Sequence, residues 1–169
     1  MEVIESRKNT IKTEVVYDDS FANKYLVRKE WDKNKKAALV IMKNAGDANE
    51  IVQDQTTMYV INNLSKLEYG SVSIMNLFPS IENKHTNTLA VENLKFVQEE
   101  IQKVDDVIIA AGTGIESNKE AFNRLKMIVS ILLDKKTNIF QIESSKGRRG
   151  KRSITLDVQY GVSLIRKTV

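Results

Sequence analysis

A run of six apolar residues that leads into a polar loop and a helix start constrains this chain more than any other stretch. The run occupies residues 37–42, and its length and β-branched content are typical of a strand covered on both faces in the centre of a parallel sheet. Residues 43–49 form a short polar loop, and Asp54 or Thr56 can cap a helix over residues 54–67. Because open α/β sheets bind ligands where a strand gives way to a loop and a helix N-terminus, this stretch is the first candidate site.

The rest of the chain alternates between strand and helix patterns. β-branched and apolar runs predict strands, and apolar residues at near-helical spacing predict helices. The predicted strands occupy residues 11–17, 24–31, 37–42, 71–78, 104–111 and 138–142, the predicted helices occupy 54–67, 88–103 and 120–133, and short closing segments occupy 153–156 and 162–165. This order predicts an α/β fold, a three-layer α/β/α sandwich with a mostly parallel central sheet and an N-terminal edge hairpin.

Length and composition predict a single domain over residues 1–169, with residues 1–10 frayed. The chain is 41% hydrophobic and 28% charged, and it has no apolar run near the roughly 20 residues that span a bilayer. Its first residues lack the order of a secretory signal, so we expect a cytoplasmic protein without membrane contact. It has no cysteine and one histidine, His85, which excludes disulfides and thiolate catalysis. We expect no metal and no other cofactor.

A basic stretch near the C-terminal end is the strongest charge feature. Lys146, Arg148, Arg149, Lys151 and Arg152 crowd a segment with two glycines, in a chain of net charge +4. Such a segment suits contacts with the phosphates of a nucleic acid. The alternative is a solvated surface loop.

Two asparagines follow apolar strands. Asn44 and Asn76 should converge with Gly112 and the basic stretch, because the carboxyl ends of parallel strands share one edge of a sheet. Paired amide donors and acceptors are suited to reading a nucleobase or a carboxamide. Alternatively, both asparagines satisfy loop backbone groups. The phosphate-binding patterns GxxxxGK[ST] and GxGxxG do not follow a strand in this sequence.

The strand-end motifs, taken in order, resemble an uncharacterised bacterial and phage family with the pattern NPSTAD, D-x-T, NLF, EN, AWG and HPL. The matching segments span about Tyr25 to Leu156 and read IMKNAGDA, DQTT, MNLFP, EN, IAAG and RSI. That pattern is in turn similar to the uracil-DNA glycosylase superfamily, whose members have a water-activating loop, a base-reading asparagine and a late loop that clamps a flipped nucleotide. The resemblance implies a uracil-DNA-glycosylase-like fold.

The resemblance also assigns roles. It makes Asn44 the water-positioning residue and Asn76 the base-reading residue. If the protein is an active enzyme, Asp47 or Asp54 is a possible base that helps Asn44. The resemblance places Phe78 and Asn93 beside the base, and it places Arg152, Ser153 and Ile154 in the late loop, so that the basic stretch and Ser153 would contact nucleic acid.

Departures from the pattern bear on catalysis. Ala45-Gly46 replaces Pro-Ser, Ala111 stands where tryptophan is usual, and the late loop lacks its histidine and proline. Without the imidazole, no donor of that type stabilises a leaving base. We therefore expect a degenerate glycosylase-like protein that binds DNA or a DNA-processing partner with little or no catalysis, as an accessory of a mobile element or phage.

Two alternatives belong to other functional classes. The first is an active N-glycosylase or nucleosidase that acts on a damaged or modified base. The second is a protein-interaction module, whose contact surface would be the edge hairpin with Trp31, Tyr25 and Phe21.

Overall fold

The computed structural model of the protein describes residues 5–82, 84, 86–112, 115–135, 137–145 and 153–158. These residues form one sheet of seven strands in the order β1-β2-β4-β3-β5-β6-β7. The strands are β1 (Lys12–Tyr17), β2 (Lys24–Glu30), β3 (Lys36–Asn44), β4 (Tyr69–Phe78), β5 (Asp106–Ala110), β6 (Asn138–Ser145) and β7 (Ser153–Val158). His85 and the predicted segment 162–165 lie outside the described residues.

The sheet is mixed. The four strands β4, β3, β5 and β6 are parallel, whereas β1, β2 and β7 add antiparallel pairs at the two sides. The prediction of a parallel centre with an N-terminal edge hairpin is confirmed, and the prediction of a mostly parallel sheet holds only for the centre. Apolar content identifies a strand, but it does not specify the direction of a strand's partner.

Within the described residues, three α-helices connect the strands. They are α1 (Gln55–Lys66), α2 (Asn87–Glu100) and α3 (Lys119–Asp134), and their N-caps are Asp54, Thr86 and Asn118. Each cap accepts a hydrogen bond from a first-turn amide, which satisfies one of the donors that a helix start leaves free. No helix in the described ranges is long and apolar enough to cross a bilayer.

The helices lie on opposite faces of the sheet. One apolar cluster packs α1 against the sheet through Val60, Ile61 and Leu64. The other packs α3 through Leu125, Ile128 and Leu132, and α2 through Val97, against the second face. The predicted three-layer arrangement is therefore present. Tyr69 and Gly70, which lie between the first predicted helix and the strand predicted at residues 71–78, begin β4, and Tyr69 is buried in the cluster under α1.

A bulge in β2 changes which face of the sheet each of its first side chains occupies. Val16 pairs with Leu26, whereas Tyr17 pairs with Lys24, so that Tyr25 is an extra residue between the two pairs. Tyr25 packs on α2. Lys24 instead reaches the loop between β3 and α1. The bulge therefore brings a lysine to the face of the sheet that carries α1.

Candidate functional site

A pocket opens where β3 and β4 end beside the N-terminus of α1. It contains about 370 Å³ of free space, including the part that is open to solvent. Its wall is made by Lys24, Val27, Met42, Asn44, Gly46, Ala48, Asp54, Thr56, Thr57, Ile74 and Asn76. The pocket thus joins the end of the predicted central strand, its polar loop and the following helix start.

Asn44 and Asn76 meet in this pocket. Ala38, Val40 and Met42 face α1, and the two-residue period of a strand places Asn44 on the same face. Asn76 lies beside Met42 in the parallel pair, and the same period places it on the face of Ile74. The predicted convergence of the two asparagines is therefore observed, with Asn44 exposed and Asn76 only 4% exposed.

The buried amide of Asn76 has an unmet acceptor. Its Oδ1 has no hydrogen-bond partner among the described residues. The oxygens of Asn23, Asn93 and Gln141 are also buried and unpartnered there, but only Asn76 among the four lines the pocket. An unpaired buried polar group costs about 1–3 kcal/mol. A protein is expected to keep such a costly group where the group binds a ligand.

Asp54 is fully engaged in structural hydrogen bonds. Its Oδ1 accepts from the Thr57 amide at 2.7 Å, and its Oδ2 accepts from the Ala48 amide at 3.3 Å. Burial raises the pKa of Asp54, but the hydrogen bonds from Thr57 and Ala48 and the charge of Lys24 outweigh it, so that the pKa lies below its ordinary value. A carboxylate with a lowered pKa is a weak proton acceptor. The geometry therefore favours a capping role for Asp54.

Lys24 holds the loop that forms one wall of the pocket. Its Nζ donates to the carbonyls of Gly46 and Ala48, each at 2.5 Å, and the residue is only 3% exposed. Burial lowers the pKa of Lys24, and the charges of Asp54, Asp47 and Glu50 oppose that shift.

Lys29 anchors the next part of the same loop from outside the pocket wall. It is 1% exposed, and its Nζ donates to the Asn49 carbonyl at 3.2 Å. Burial also lowers its pKa, against the charge of Glu50. Neither lysine was predicted from the sequence to be a site residue. The one available signal was the strand period, which places Lys29 on the same face as the apolar Val27.

The remaining predicted site residues lie apart from the pocket wall. Asp47 is exposed and does not line the pocket. Phe78 is 3% exposed and packs in the cluster under α2 and α3, below the guanidinium of Arg124. Asn93 is buried on α2, where its Nδ2 donates to the backbone carbonyl of Asn76 at 2.7 Å. Gly112 does not line the pocket either, and the roles proposed for Phe78 and Asn93 stay predictions.

The predicted nucleic-acid contacts fall almost entirely beyond the described residues. Lys146, Arg148, Arg149, Lys151 and Arg152 lie outside them. Ser153 begins β7, where it pairs with Ser145. Near the described part of the pocket, Asp47, Glu50 and Asp54 all act on Lys24, whose ammonium is already bound to two carbonyls. This rim offers little to a phosphate, so the basic stretch remains the candidate for such contacts.

The aromatic residues predicted to form a protein-contact surface differ in exposure. Tyr25 is 3% exposed, and its ring stacks on Phe96. Trp31 is half-buried and donates from Nε1 to the Tyr69 carbonyl. Phe21 is 69% exposed. The predicted surface is corrected accordingly, because only Phe21 presents most of its side chain to solvent.

No group of three or more histidine, cysteine, aspartate or glutamate side chains within the described ranges is placed to hold a metal ion. The pocket wall itself supplies amides, hydroxyls, a lysine and a carboxylate. Its apolar wall residues, Val27, Met42 and Ile74, suit the face of a planar ring.

Comparisons with known proteins give one family match. The model of a family described as "Protein of unknown function (DUF1643)" matches residues 24–151. No curated protein matches the chain.

Solved structures give distant matches. A predicted CIB-like hydrolase from Thermoplasma acidophilum is similar over 80% of this chain and 63% of its own, with 12% identity and a TM-score of 0.41. Carboxyl esterase 2 from the mycorrhizal fungus Tuber melanosporum is similar over 80% of this chain and 44% of its own, with 11% identity and a TM-score of 0.40. The chain thus spans less than two thirds of either structure, and likenesses at these scores carry no argument about activity.

Proposed function

The chain belongs to the DUF1643 family, and from this premise and the geometry of the strand ends we propose that it is a nucleobase-binding protein that engages DNA with little or no catalysis. The observation that carries the proposal is the unpartnered Oδ1 of Asn76, a buried residue that lines the pocket. An amide in this position can pair with the polar edge of a base.

The shape of the pocket supports a base rather than an anion. Apolar side chains line part of it, and amides from Asn44 and Asn76 line another part. The helix N-terminus, a common anion site, is already capped by the carboxylate of Asp54. A neutral heterocycle with an amide-like edge therefore fits the pocket better than a phosphate does.

The hydrogen bonds that Asp54 already makes favour a binding function over a hydrolytic one. A glycosylase needs a group that positions or deprotonates water, and the lowered pKa and two structural hydrogen bonds of Asp54 make it unsuitable as a base. Asn44 remains available on the pocket wall. We therefore infer that any hydrolysis would rely on Asn44 and would be slow.

Calorimetric titration of nucleosides and single-stranded oligonucleotides tests the binding proposal. We expect at least one nucleoside to bind, and Asn76→Ala to weaken it by about 5- to 150-fold, the equivalent of roughly 1–3 kcal/mol for a bidentate base contact. Asn62→Ala is the matched control, because Asn62 is exposed on α1 and does not line the pocket. Equal affinity in wild type and Asn76→Ala would overturn the proposal.

A separate assay addresses hydrolysis. Oligonucleotides that carry uracil, mismatched or modified bases are incubated with the protein, and abasic sites are revealed by alkali. We expect cleavage near that of a protein-free sample. Efficient cleavage that is lost in Asn44→Ala would instead establish the active-glycosylase alternative.

A further inference from the structure

We propose that Lys24 is a positioning residue of the pocket, which holds residues 46–48 against the start of α1 and so sets the shape in which the pocket receives its ligand. Its Nζ bonds the carbonyls of both Gly46 and Ala48. The effect on ligand binding rests on the proposed function. The effect on the loop does not, so the two can fail separately.

The loop is fixed from two sides. Lys24 holds its carbonyls, and Asp54 accepts a hydrogen bond from the Ala48 amide. A Cβ atom on Gly46 would lie 2.3 Å from Oδ2 of Asp54, so the loop packs directly on the carboxylate. Loss of either partner would free this segment, which continues directly from Asn44.

Stability alone does not explain a lysine at this position. Burying an ammonium is costly, and an apolar residue of similar size in place of a buried charge is often neutral or stabilising. The bulge at Tyr25 further turns Lys24 away from the α2 face and toward the loop. Bulges that redirect a side chain are frequent beside functional sites. Lys24 therefore joins a local irregularity of β2 to the wall of the pocket.

Lys24→Met tests the proposal, because methionine keeps most of the length of the side chain and removes its donors. Lys29→Met is the matched control: Lys29 is equally buried and holds the Asn49 carbonyl, but it does not line the pocket. Amide hydrogen exchange reports the loop directly and requires no ligand. We expect the Ala48 amide to exchange on the order of tenfold faster in Lys24→Met, the change that loss of a charge-assisted hydrogen bond produces.

Adenosine is the probe for affinity, because its base does not titrate in the alkaline range. We expect Lys24→Met to bind it on the order of tenfold more weakly, since the pocket wall is no longer held. Lys29→Met should stay within about twofold of wild type, as expected for a change that does not touch the pocket. We call the two hydrogen bonds from Lys24 to the Gly46 and Ala48 carbonyls the clamp. Unchanged exchange of the Ala48 amide in Lys24→Met would show that the clamp does not hold the loop. Faster exchange of the Ala48 amide with unchanged affinity for adenosine would show that Lys24 holds the loop but has no role in binding.

The pH dependence of affinity and of stability distinguishes a positioning role of Lys24 from a role in packing alone. The titratable groups that face Lys24 are Asp54, Asp47 and Glu50, and they only partly oppose the effect of burial, so the pKa of Lys24 lies below its ordinary 10.5. As pH rises through this pKa, the penalty for burying the ammonium disappears and the Lys24 contribution to stability improves. The clamp weakens at the same time, so affinity for adenosine should fall. In Lys24→Met the fall in affinity should vanish and the rise in stability should shrink, with the part due to Lys29 remaining because burial also lowers its pKa. An affinity that rises with stability would contradict the proposal.

If neither nucleosides nor oligonucleotides bind the wild type, the proposed function fails. The exchange measurement still shows whether Lys24 holds the loop.

Discussion

Gly46 and Asp54 approach so closely that a Cβ atom on residue 46 would lie 2.3 Å from Oδ2 of Asp54. The same oxygen accepts the Ala48 amide, and the other carboxylate oxygen caps α1 at Thr57. One side chain therefore joins the pocket loop to the helix start. The absence of a side chain at residue 46 is part of that junction.

Gly46→Ala should destabilise the fold by about 1–2 kcal/mol, because the added carbon displaces the Asp54 carboxylate from its capping position. Urea unfolding measures the change. In an Asp54→Ala background the substitution should cost much less, because the clash is gone. Gly112→Ala is a useful contrast: Gly112 has φ +85 with nothing within 4 Å of an added Cβ, so its cost reports backbone strain alone. A Gly46→Ala cost that is unchanged in the Asp54→Ala background would contradict the proposed junction.

Acid should weaken the cap of α1. The pKa of Asp54 in the folded protein lies below its ordinary 3.8, so its contribution to stability is present above that ordinary value and is lost as pH falls through the folded pKa. Asp54→Ala should cost about 0.5–2 kcal/mol near neutral pH, and the difference from wild type should shrink toward zero in strong acid. Thermal unfolding across pH measures it. Asp54→Asn keeps a capping acceptor and should show no such pH dependence, and a difference that stays constant into acid would contradict the assignment.

Much of the architecture could be predicted because it depends on local patterns. The run at residues 37–42 became the buried part of β3, and Asp54, one of two predicted caps, is the N-cap of α1. The same reasoning predicted that Asn44 and Asn76 would meet, since the carboxyl ends of adjacent parallel strands share an edge. These features require only the period of each element and the layering of the fold.

The parts that could not be predicted depend on contacts between distant residues. Lys24 stands in a strand with Arg28, and nothing in their residue types separates the 3% exposed lysine from the more exposed arginine. The difference follows from the bulge at Tyr25 and from the carbonyls of a loop more than twenty residues away. Phe78 is the last residue of β4, and its packing under α2 and α3 depends on those distant helices; its predicted contact with a base stays a prediction.

Replacement of Asn76 should affect ligand binding and stability in opposite directions. Asn76→Leu removes a buried oxygen that has no partner among the described residues, so the free energy of unfolding should stay level or rise by up to about 1–3 kcal/mol. Nucleoside binding should be lost in the same variant. Chemical denaturation and calorimetry on one preparation measure both quantities. The Asn93 contact is retained, because it is made to the backbone carbonyl of residue 76. A large loss of stability would show that the amide supports the fold rather than a ligand.

The basic stretch should determine the salt dependence of DNA binding. Neutralising Lys146, Arg148, Arg149, Lys151 and Arg152 together should flatten the plot of log affinity against log salt by about 0.7 per lost contact on single strands and about 0.9 on duplex DNA. Filter binding over a salt series measures the slope. A control that neutralises the exposed Lys8, Lys33, Lys66, Lys95 and Lys119 removes the same charge elsewhere. If the two variants lose slope equally, net charge alone accounts for binding. If only the first does so while its nucleoside affinity is unchanged, the phosphate and base contacts belong to two separate parts of one site.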